Sequence, residues 1–513
     1  FWDPRSSMSI SHDRRTSAGH LLSSRTLARG TIWNLFAQGI PIVVALAAVP
    51  PLVHGLGTDR FGILTLALAI IGYAGVFDMG LGRALTKLIA DRLGQEKIQD
   101  LPETIWTALV LMLGLGAIGA VCLSLAAPWL ARGVLEIPAP LEDETFRSLL
   151  ILAASLPIVI CSTGLRGVLE AFQRFDLTGR VRLLAGTAAF LLPLAVLPLS
   201  HRLDMAVAAL ALGRVAAAML NLWYCTTVIP ALRGRLAFRW RAVRPLLSFA
   251  GWLTVSNIAA PFITYMDRFL IAAIVSAAAV AYYGTSLEMV TRLWIIPGAL
   301  ASVLFPAFAT TLQSAPERLK LLYARGVKYT FLGLFPVILL LVAFAREGLT
   351  FWLGPDFADH GATVLQWLAI GVFCNSLAQI AFALVQGCGR ADITGKLHIA
   401  ELPFLVPIIW WLTREFGIEG TAIGWTARVM FNGVILFWVA ERLTGLGAKD
   451  LLRLTIGVGF ALAIFGLATL SFGVSVKAAA CLVVLSLYAV GGWVVALTAG
   501  ERTVIVATLS RQR

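Results

Sequence analysis

Apolar runs of about twenty residues, separated by short polar breaks, follow one another from near Thr31 to near Thr498. Each is long enough to cross a hydrocarbon layer of ~30 Å as an α-helix. About fourteen spans are predicted, at 30–54, 61–88, 104–130, 146–168, 178–200, 204–229, 248–275, 279–310, 322–345, 361–387, 394–413, 418–441, 451–472 and 476–498. The connections are too short to hold a soluble domain. The fold class is therefore an all-α polytopic membrane protein.

Composition agrees. Of 513 residues, 59% are hydrophobic and 13% charged, against about 25% charged in soluble proteins. The formal net charge of +13 could point to nucleic acid, so the placement of the basic residues decides what it means. With the N-terminus in the cytoplasm, the segments facing that side carry most of the 41 Lys and Arg. The opposite side carries only Arg60, Arg132, Arg147, Arg202, Arg346, Arg414 and Lys477. This is the positive-inside bias of a membrane protein with both termini cytoplasmic, and no nucleic-acid partner is expected.

A polar cassette, Arg174-Phe175-Asp176-Leu177-Thr178-Gly179-Arg180, returns as Arg390-Ala391-Asp392-Ile393-Thr394-Gly395-Lys396. Pro193 is echoed by Pro407, Arg214 by Arg428, Trp33 by Trp252, Pro41 by Pro261 and Phe61-Gly62 by Tyr283-Gly284. The repeated unit holds six spans. Six is even, so both copies enter the membrane from one side and are expected to be related by a pseudo-two-fold axis along the membrane normal. The predicted organisation is a tail (1–29), an N-lobe (30–230), a basic linker (231–247), a C-lobe (248–442), two further spans (443–498) and a C-terminal tail (499–513). The first tail lacks the apolar core of a signal peptide, and Met8 is read as the natural start, leaving 1–7 outside the native chain. Both cassettes fall at matched cytoplasmic turns, where their Asp and Thr suit helix capping and their basic residues suit lipid head groups. Arg174, Asp176, Arg180, Arg390, Asp392 and Lys396 are accordingly candidates for structural corners or an inner gate.

The chemistry expected inside the membrane rests on Arg83, Arg166, Arg214, Arg268, Arg292 and Arg428, with Asp78, Asp267 and Glu288. Each ion costs ~2.5–3.5 kcal/mol at the centre of a span unless it meets water, a partner or a ligand. Arg214, Arg292 and Arg428 come out near the midplane, while Arg166 lies near a helix end. Glu288 and Arg292 are four apart and can pair along one face; Asp267 and Arg268 diverge and need partners on other helices. One reading is that these arginines bind carbonyls freed by the many in-span prolines, or pair with acids to hold the bundle together. The other is a cationic cavity for an anionic head group, for which the planar guanidinium fork is suited. The excess of Arg over acid favours the second.

Other signals exclude more than they assign. Cys122, Cys161, Cys225, Cys374, Cys388 and Cys481 all lie in apolar segments without metal-ligand spacing, so neither a disulfide framework nor a metal site is expected. Gly389 to Lys396 has the wrong spacing for a phosphate-binding loop, and no cofactor or ATPase chemistry is predicted. His201, His360 and His398 are assigned no role.

The motifs Arg29-Gly30-Thr31-Ile32-Trp33-Asn34, Asp59-Arg60-Phe61-Gly62, Phe77-Asp78-Met79-Gly80-Leu81-Gly82-Arg83, Met266-Asp267-Arg268-Phe269-Leu270-Ile271 and Ala281-Tyr282-Tyr283-Gly284 carry a resemblance. The chain resembles the polysaccharide-transporter flippases of the multidrug/oligosaccharidyl-lipid/polysaccharide exporter superfamily over its first twelve spans. The resemblance implies a V of two six-helix lobes, with spans 1, 2, 7 and 8 lining a central cavity. It implies a polyprenyl-pyrophosphate-linked oligosaccharide as substrate, moved across a bacterial inner membrane. Arg83, Arg268 and Arg292 would meet the pyrophosphate, with Arg214 and Arg428 in a second tier. Asp78, Asp267 and Glu288 would be proton or sodium sites, or salt-bridge partners. Membrane lipids are expected neighbours, and a polysaccharide polymerase and assembly proteins are candidate partners. A lipid II flippase and a drug/cation antiporter of the same superfamily stay open, as does a membrane polymerase.

Overall fold

The computed structural model describes residues 24–77, 80–94, 100–234, 240, 243, 265–314, 316–445, 448–470 and 472–496. Asp78, residues 1–23, the C-terminal tail, much of the linker and most of span 7 lie outside these. Among the described residues there are helices and no strand, because in lipid each segment must satisfy its own peptide groups. Ten of the helices are long and apolar enough to cross a membrane; one of them, Asp392–Thr444, covers spans 11 and 12 together. The chain divides into two compact units, Phe1–Tyr265 and Met266–Arg513.

The first unit holds α1 (Ser24–Leu56), α2 (Thr58–Phe77), α3 (Leu81–Gly94), α4 (Leu101–Trp129), α5 (Glu142–Ala171), α6 (Phe175–Val196) and α7 (Leu203–Val228). α5 is its hub, packed against α2, α3, α4, α6 and α7. Close approach is made by small residues. A Cβ on Gly186 of α6 would come within 2.9 Å of the Pro41 ring of α1, and one on Gly116 of α4 within 2.5 Å of the Pro157 backbone of α5.

Span 2 differs from expectation. The apolar crossing ends at Phe77, after 20 residues or about 30 Å of helix, and Gly80 takes φ 78°. α3 beyond it is amphipathic: Leu81, Ala84, Leu85 and Ile89 are buried, while Arg83, Lys87 and Asp91 are exposed. Alternating polarity at helical spacing seats such a helix on the edge of the bundle. Arg83 therefore sits past the end of a crossing and not within one.

The second unit holds α8 (265–274, from 266), α9 (Ala277–Thr291), α10 (Ile295–Ser314), α11 (Pro316–Ala343), α12 (Ala345–Leu353), α13 (Pro355–Gly387), α14 (Ala391–Thr444), α15 (Ala448–Ala468) and α16 (Val474–Gly491). The Ser276 hydroxyl accepts from the Ala279 N–H at 3.0 Å and opens α9. α9 tightens into a 3-10 turn at Arg292–Trp294. Pro297 lies four residues past Leu293, lacks an N–H to return to it, and crowds its carbonyl. α14 folds back at Gly417 (φ 59°, ψ −142°), a backbone conformation suited to glycine, so spans 11 and 12 have almost no loop between them. The last two spans dock on this unit. Tyr488 donates to the Leu332 carbonyl at 3.0 Å and stacks on Phe335 at 4.6 Å, and Phe465 lies between Phe335 and Phe373.

The hub of the second unit is α13, packed by α9 to α12 and α14. At an offset of 216, every buried position of α5 except Val159 falls on a buried position of α13. That is the cassette's own offset, so the internal repeat holds at the level of which faces are buried. The same offset continues along α6, where Thr178, Ala189 and Pro193 map onto the buried Thr394, Leu405 and Ile409. Pro193 therefore has Ile409 as its counterpart, not Pro407, which is exposed; a slip of two residues would turn the buried face outward.

The two cassettes form the same corner. At the first, the Gln173 N–H bonds the Glu170 carbonyl and the Arg174 N–H the Leu169 carbonyl, both at 2.9 Å. At the second, Gly389 bonds Gln386 at 2.9 Å and Arg390 bonds Val385 at 3.0 Å. This is the left-handed stop of a helix. The arginine, not the aspartate, is the residue entering the next helix, and its side chain makes no capping bond. The aspartate lies within the first turn and receives the guanidinium instead, at 2.9 Å for Arg174–Asp176 and 3.1 Å for Arg390–Asp392, with Lys396 at 3.5 Å from Asp392. Gln173 holds the left-handed conformation (φ 57°) that Gly389 supplies in the other copy. Gln173→Gly is expected to raise stability by about 1 kcal/mol, and Gly389→Gln to lower it by a similar amount. Unfolding midpoints of the detergent-solubilised variants measure both, and shifts of the same sign would count against a shared corner.

Candidate functional site

The polar core of the second unit is built from α8, α9 and α14. Asp267 and Arg268 are adjacent on α8, so their side chains leave the helix about 100° apart, and both are buried. Asp267 accepts the Tyr283 hydroxyl of α9 at 2.6 Å and its neighbour's backbone N–H at 2.8 Å. Arg268 reaches Glu288 of α9 at 3.4 Å. Arg292, one turn on, meets the other oxygen of Glu288 at 2.5 Å, which is the four-residue pairing the sequence predicts. One carboxylate thus carries two guanidinium groups. Arg268 is 5% exposed at its side chain and Arg292 40%, so the surplus positive charge sits on the accessible member.

The fold at Gly417 lays the two halves of α14 side by side. His398 and Glu401 come from the first half, and Arg428 and Asn432 from the second. Asn432 donates to one oxygen of Glu401, and the charges of Glu401 and Asp267 act on Arg428. His398 lies within reach of the charges of both Glu401 and Arg428. These carboxylates, from α8 and from the other half of α14, place negative charge in the surroundings of Arg428 without a direct ion pair to it.

The three arginines named in this unit are matched by three acids, Asp267, Glu288 and Glu401. Two of these, Asp267 and Glu288, are candidates from the sequence; Glu401 is not, nor are Tyr283, Asn432 and His398. Glu401 was detectable, since it stands inside span 11 and meets the same criterion of an ion at membrane depth. Tyr283 and Asn432 carry no charge, and only their contacts mark them.

The first unit is different. Arg83 is exposed on α3 and is brought to no other candidate among the described residues. Arg166 is half exposed and 3.8 Å from Glu170 on its own helix. Arg214 lies 11 residues into α7, about 16 Å from its start. Its Nε, like that of Arg428 in the second unit, is buried and makes no hydrogen bond among the described residues. Among the described residues, the charge of Arg166 is near enough to add to that of Arg214. Asp78 lies outside the described residues.

The polysaccharide biosynthesis protein family has a sequence profile that matches residues 56–362. A Shigella flexneri protein named as an O-antigen transporter is 28% identical over 418 residues, covering 82% of this chain and 98% of that protein. Among solved structures, the lipid II flippase MurJ in an inward closed conformation aligns with a TM-score of 0.69 at 12% identity, over 90% of this chain and 98% of the other. An inward-facing multidrug resistance MATE family transporter of the MOP superfamily aligns at 0.65 with 17% identity, over 80% and 98%. At these identities the solved structures share a fold with this chain.

Proposed function

The chain belongs to the polysaccharide biosynthesis protein family, and from that membership we propose that it is a flippase for a polyprenyl-pyrophosphate-linked oligosaccharide. The head group passes from the cytoplasmic to the outer leaflet of a bacterial inner membrane by alternating access, with both termini cytoplasmic. The whole-length similarity to a protein named as an O-antigen transporter supports the substrate class.

The observation that carries the reading is the Arg268–Glu288–Arg292 arrangement. A carboxylate shared by two arginines leaves donors and one positive charge for an incoming anion, and Arg292 presents them at a break in its helix. A pyrophosphate offers several acceptor oxygens and competes with Glu288 for the fork. Glu288 and the buried Asp267 are the carboxylates of this core nearest in sequence to the two arginines. Coupling to a proton or sodium ion enters here.

Arg292→Ala is expected to lower polysaccharide export about tenfold or more, the loss of a charge-assisted contact, with Arg292→Lys keeping part of the activity. Complementation of a null strain, at matched membrane expression, measures it. Wild-type export by the Ala variant would remove Arg292 from the site. The null strain itself is expected to accumulate lipid-linked repeat units on the cytoplasmic leaflet; accumulation of unpolymerised units on the outer leaflet would overturn the flippase reading in favour of a polymerase.

A further inference from the structure

A proline inside a span leaves one carbonyl of its own helix without a donor, and lipid supplies none. Pro336 stands within α11, so the carbonyl of Leu332, one turn before it, has no N–H of its own helix to meet. The donor comes from the last span. The Tyr488 hydroxyl of α16 lies 3.0 Å from the Leu332 carbonyl oxygen and 3.5 Å from that of Phe331. Its ring stacks at 4.6 Å on Phe335, the residue before the proline.

α16 also holds the chain beyond the bend. Lys477, in its first turn, donates to Glu347 of α12 at 2.9 Å, and the pair is shielded, with 11% of the Lys477 side chain and 30% of the Glu347 side chain exposed. One helix thus grips the sequence on either side of Pro336, at Leu332 and at Glu347. α15 completes the seat, where Phe465 lies 5.3 Å from Phe335 and 5.2 Å from Phe373 of the hub helix α13.

The internal repeat shows that the bend and its brace occur together. At an offset of 218, Leu101, Ile105, Ala108, Leu109, Met112 and Gly116 of α4 fall on Leu319, Tyr323, Gly326, Val327, Thr330 and Leu334 of α11, all of them buried. Pro336 then falls on Ile118, which has its own N–H and whose side chain is 61% exposed. α4 therefore needs no donor from outside at this level. The last two spans lie outside the repeat. The copy that lacks a helical hydrogen bond is the copy that carries a further helix to replace it.

We propose that the last two spans are a splint for α11: Tyr488 and Lys477 hold the bend at Pro336 and so set where α12 sits on the hub helix. Tyr488 is a positioning residue, acting through the Leu332 carbonyl. Release of α16 leaves that carbonyl bare in lipid, so the docking of the last spans and the bend of α11 are linked equilibria. The splint is independent of what the protein carries.

The test is a double-mutant cycle on the detergent-solubilised full chain, read as unfolding midpoints. Tyr488→Phe keeps the ring and removes the donor, and is expected to lower the midpoint by about 2 °C or more. In a Pro336→Ala background the restored N–H serves Leu332, and Tyr488→Phe should then cost nothing further. If the ring alone mattered, Tyr488→Phe would cost nothing in either background; if the hydroxyl served some other group, the loss would be the same in both. Either result overturns the splint. A second readout decides the matter where Pro336→Ala does not fold. Cys481, buried on α16, should react faster with a maleimide in membranes carrying Tyr488→Phe than in wild type, with Cys374 of α13 as the reference and peptide-resolved mass spectrometry as the measure. Unchanged labelling of Cys481 in that case overturns the proposal.

Discussion

Gly420→Ala is expected to abolish the folded protein, at a cost above about 3 kcal/mol, beyond the usual range for overpacking. A Cβ there would lie 2.0 Å from the carbonyl oxygen of Leu412 and 2.8 Å from the Cβ of Phe416. The first of these is backbone and cannot rotate away. Gly417, three residues earlier, holds the fold-back, and Thr413 and Thr421 share a hydrogen bond of 2.8 Å across it. Opening the turn to admit a methyl group would pull the two halves of α14 apart and separate Glu401 from Asn432. Size-exclusion profiles of the detergent-extracted protein measure the effect. A monodisperse peak at wild-type yield would show that the turn admits a methyl group.

Asp267→Ala should be nearly as damaging. It leaves the Tyr283 hydroxyl without its acceptor and leaves Arg268 and Arg428 short of one buried negative charge. Removing one partner of a buried ionic set typically costs about 3–5 kcal/mol, because the opposite charge stays behind. Adding Arg428→Met to Asp267→Ala should restore a good part of the loss, since the cation is then gone as well. The double variant more stable than the single one is the diagnostic result, read from unfolding midpoints. Equal stability of Asp267→Ala and wild type would mean that Asp267 does not neutralise its neighbours, and an uncharged structural role would be left for it.

The joint where the membrane helices begin illustrates how a duplicated fold can keep a contact while changing its chemistry. Arg60 of α2 binds Glu144 of α5 through two hydrogen bonds of 2.9 and 3.0 Å, and Glu144 also accepts the Leu203 N–H that opens α7. The equivalents by repeat offset are Tyr282 and His360, whose rings stack 4.8 Å apart, with Asp356 accepting the Tyr282 hydroxyl at 2.8 Å. His360 belongs to this joint, although nothing in its sequence surroundings assigns it a role.

The amino-acid sequence by itself determined the membrane class, the helical architecture and the existence of a repeat. Those follow from the lengths of apolar runs and from residues recurring at a near-constant spacing, which are properties of a line. It also singled out the arginines, because an ion inside an apolar run is conspicuous without any partner being known. It could not settle the register between the copies: Pro193 and Pro407 look like a pair in the sequence, and only the buried faces show the slip of two residues. Nor could it place Arg83, since the end of the crossing at Phe77 and the turn at Gly80 convert the rest of span 2 into an edge helix. Above all, it could not tell which of its polar side chains meet. Asp267 meets Tyr283 of the next helix and Glu401 meets Asn432 from the other half of its own folded helix, and helix packing alone decides such meetings.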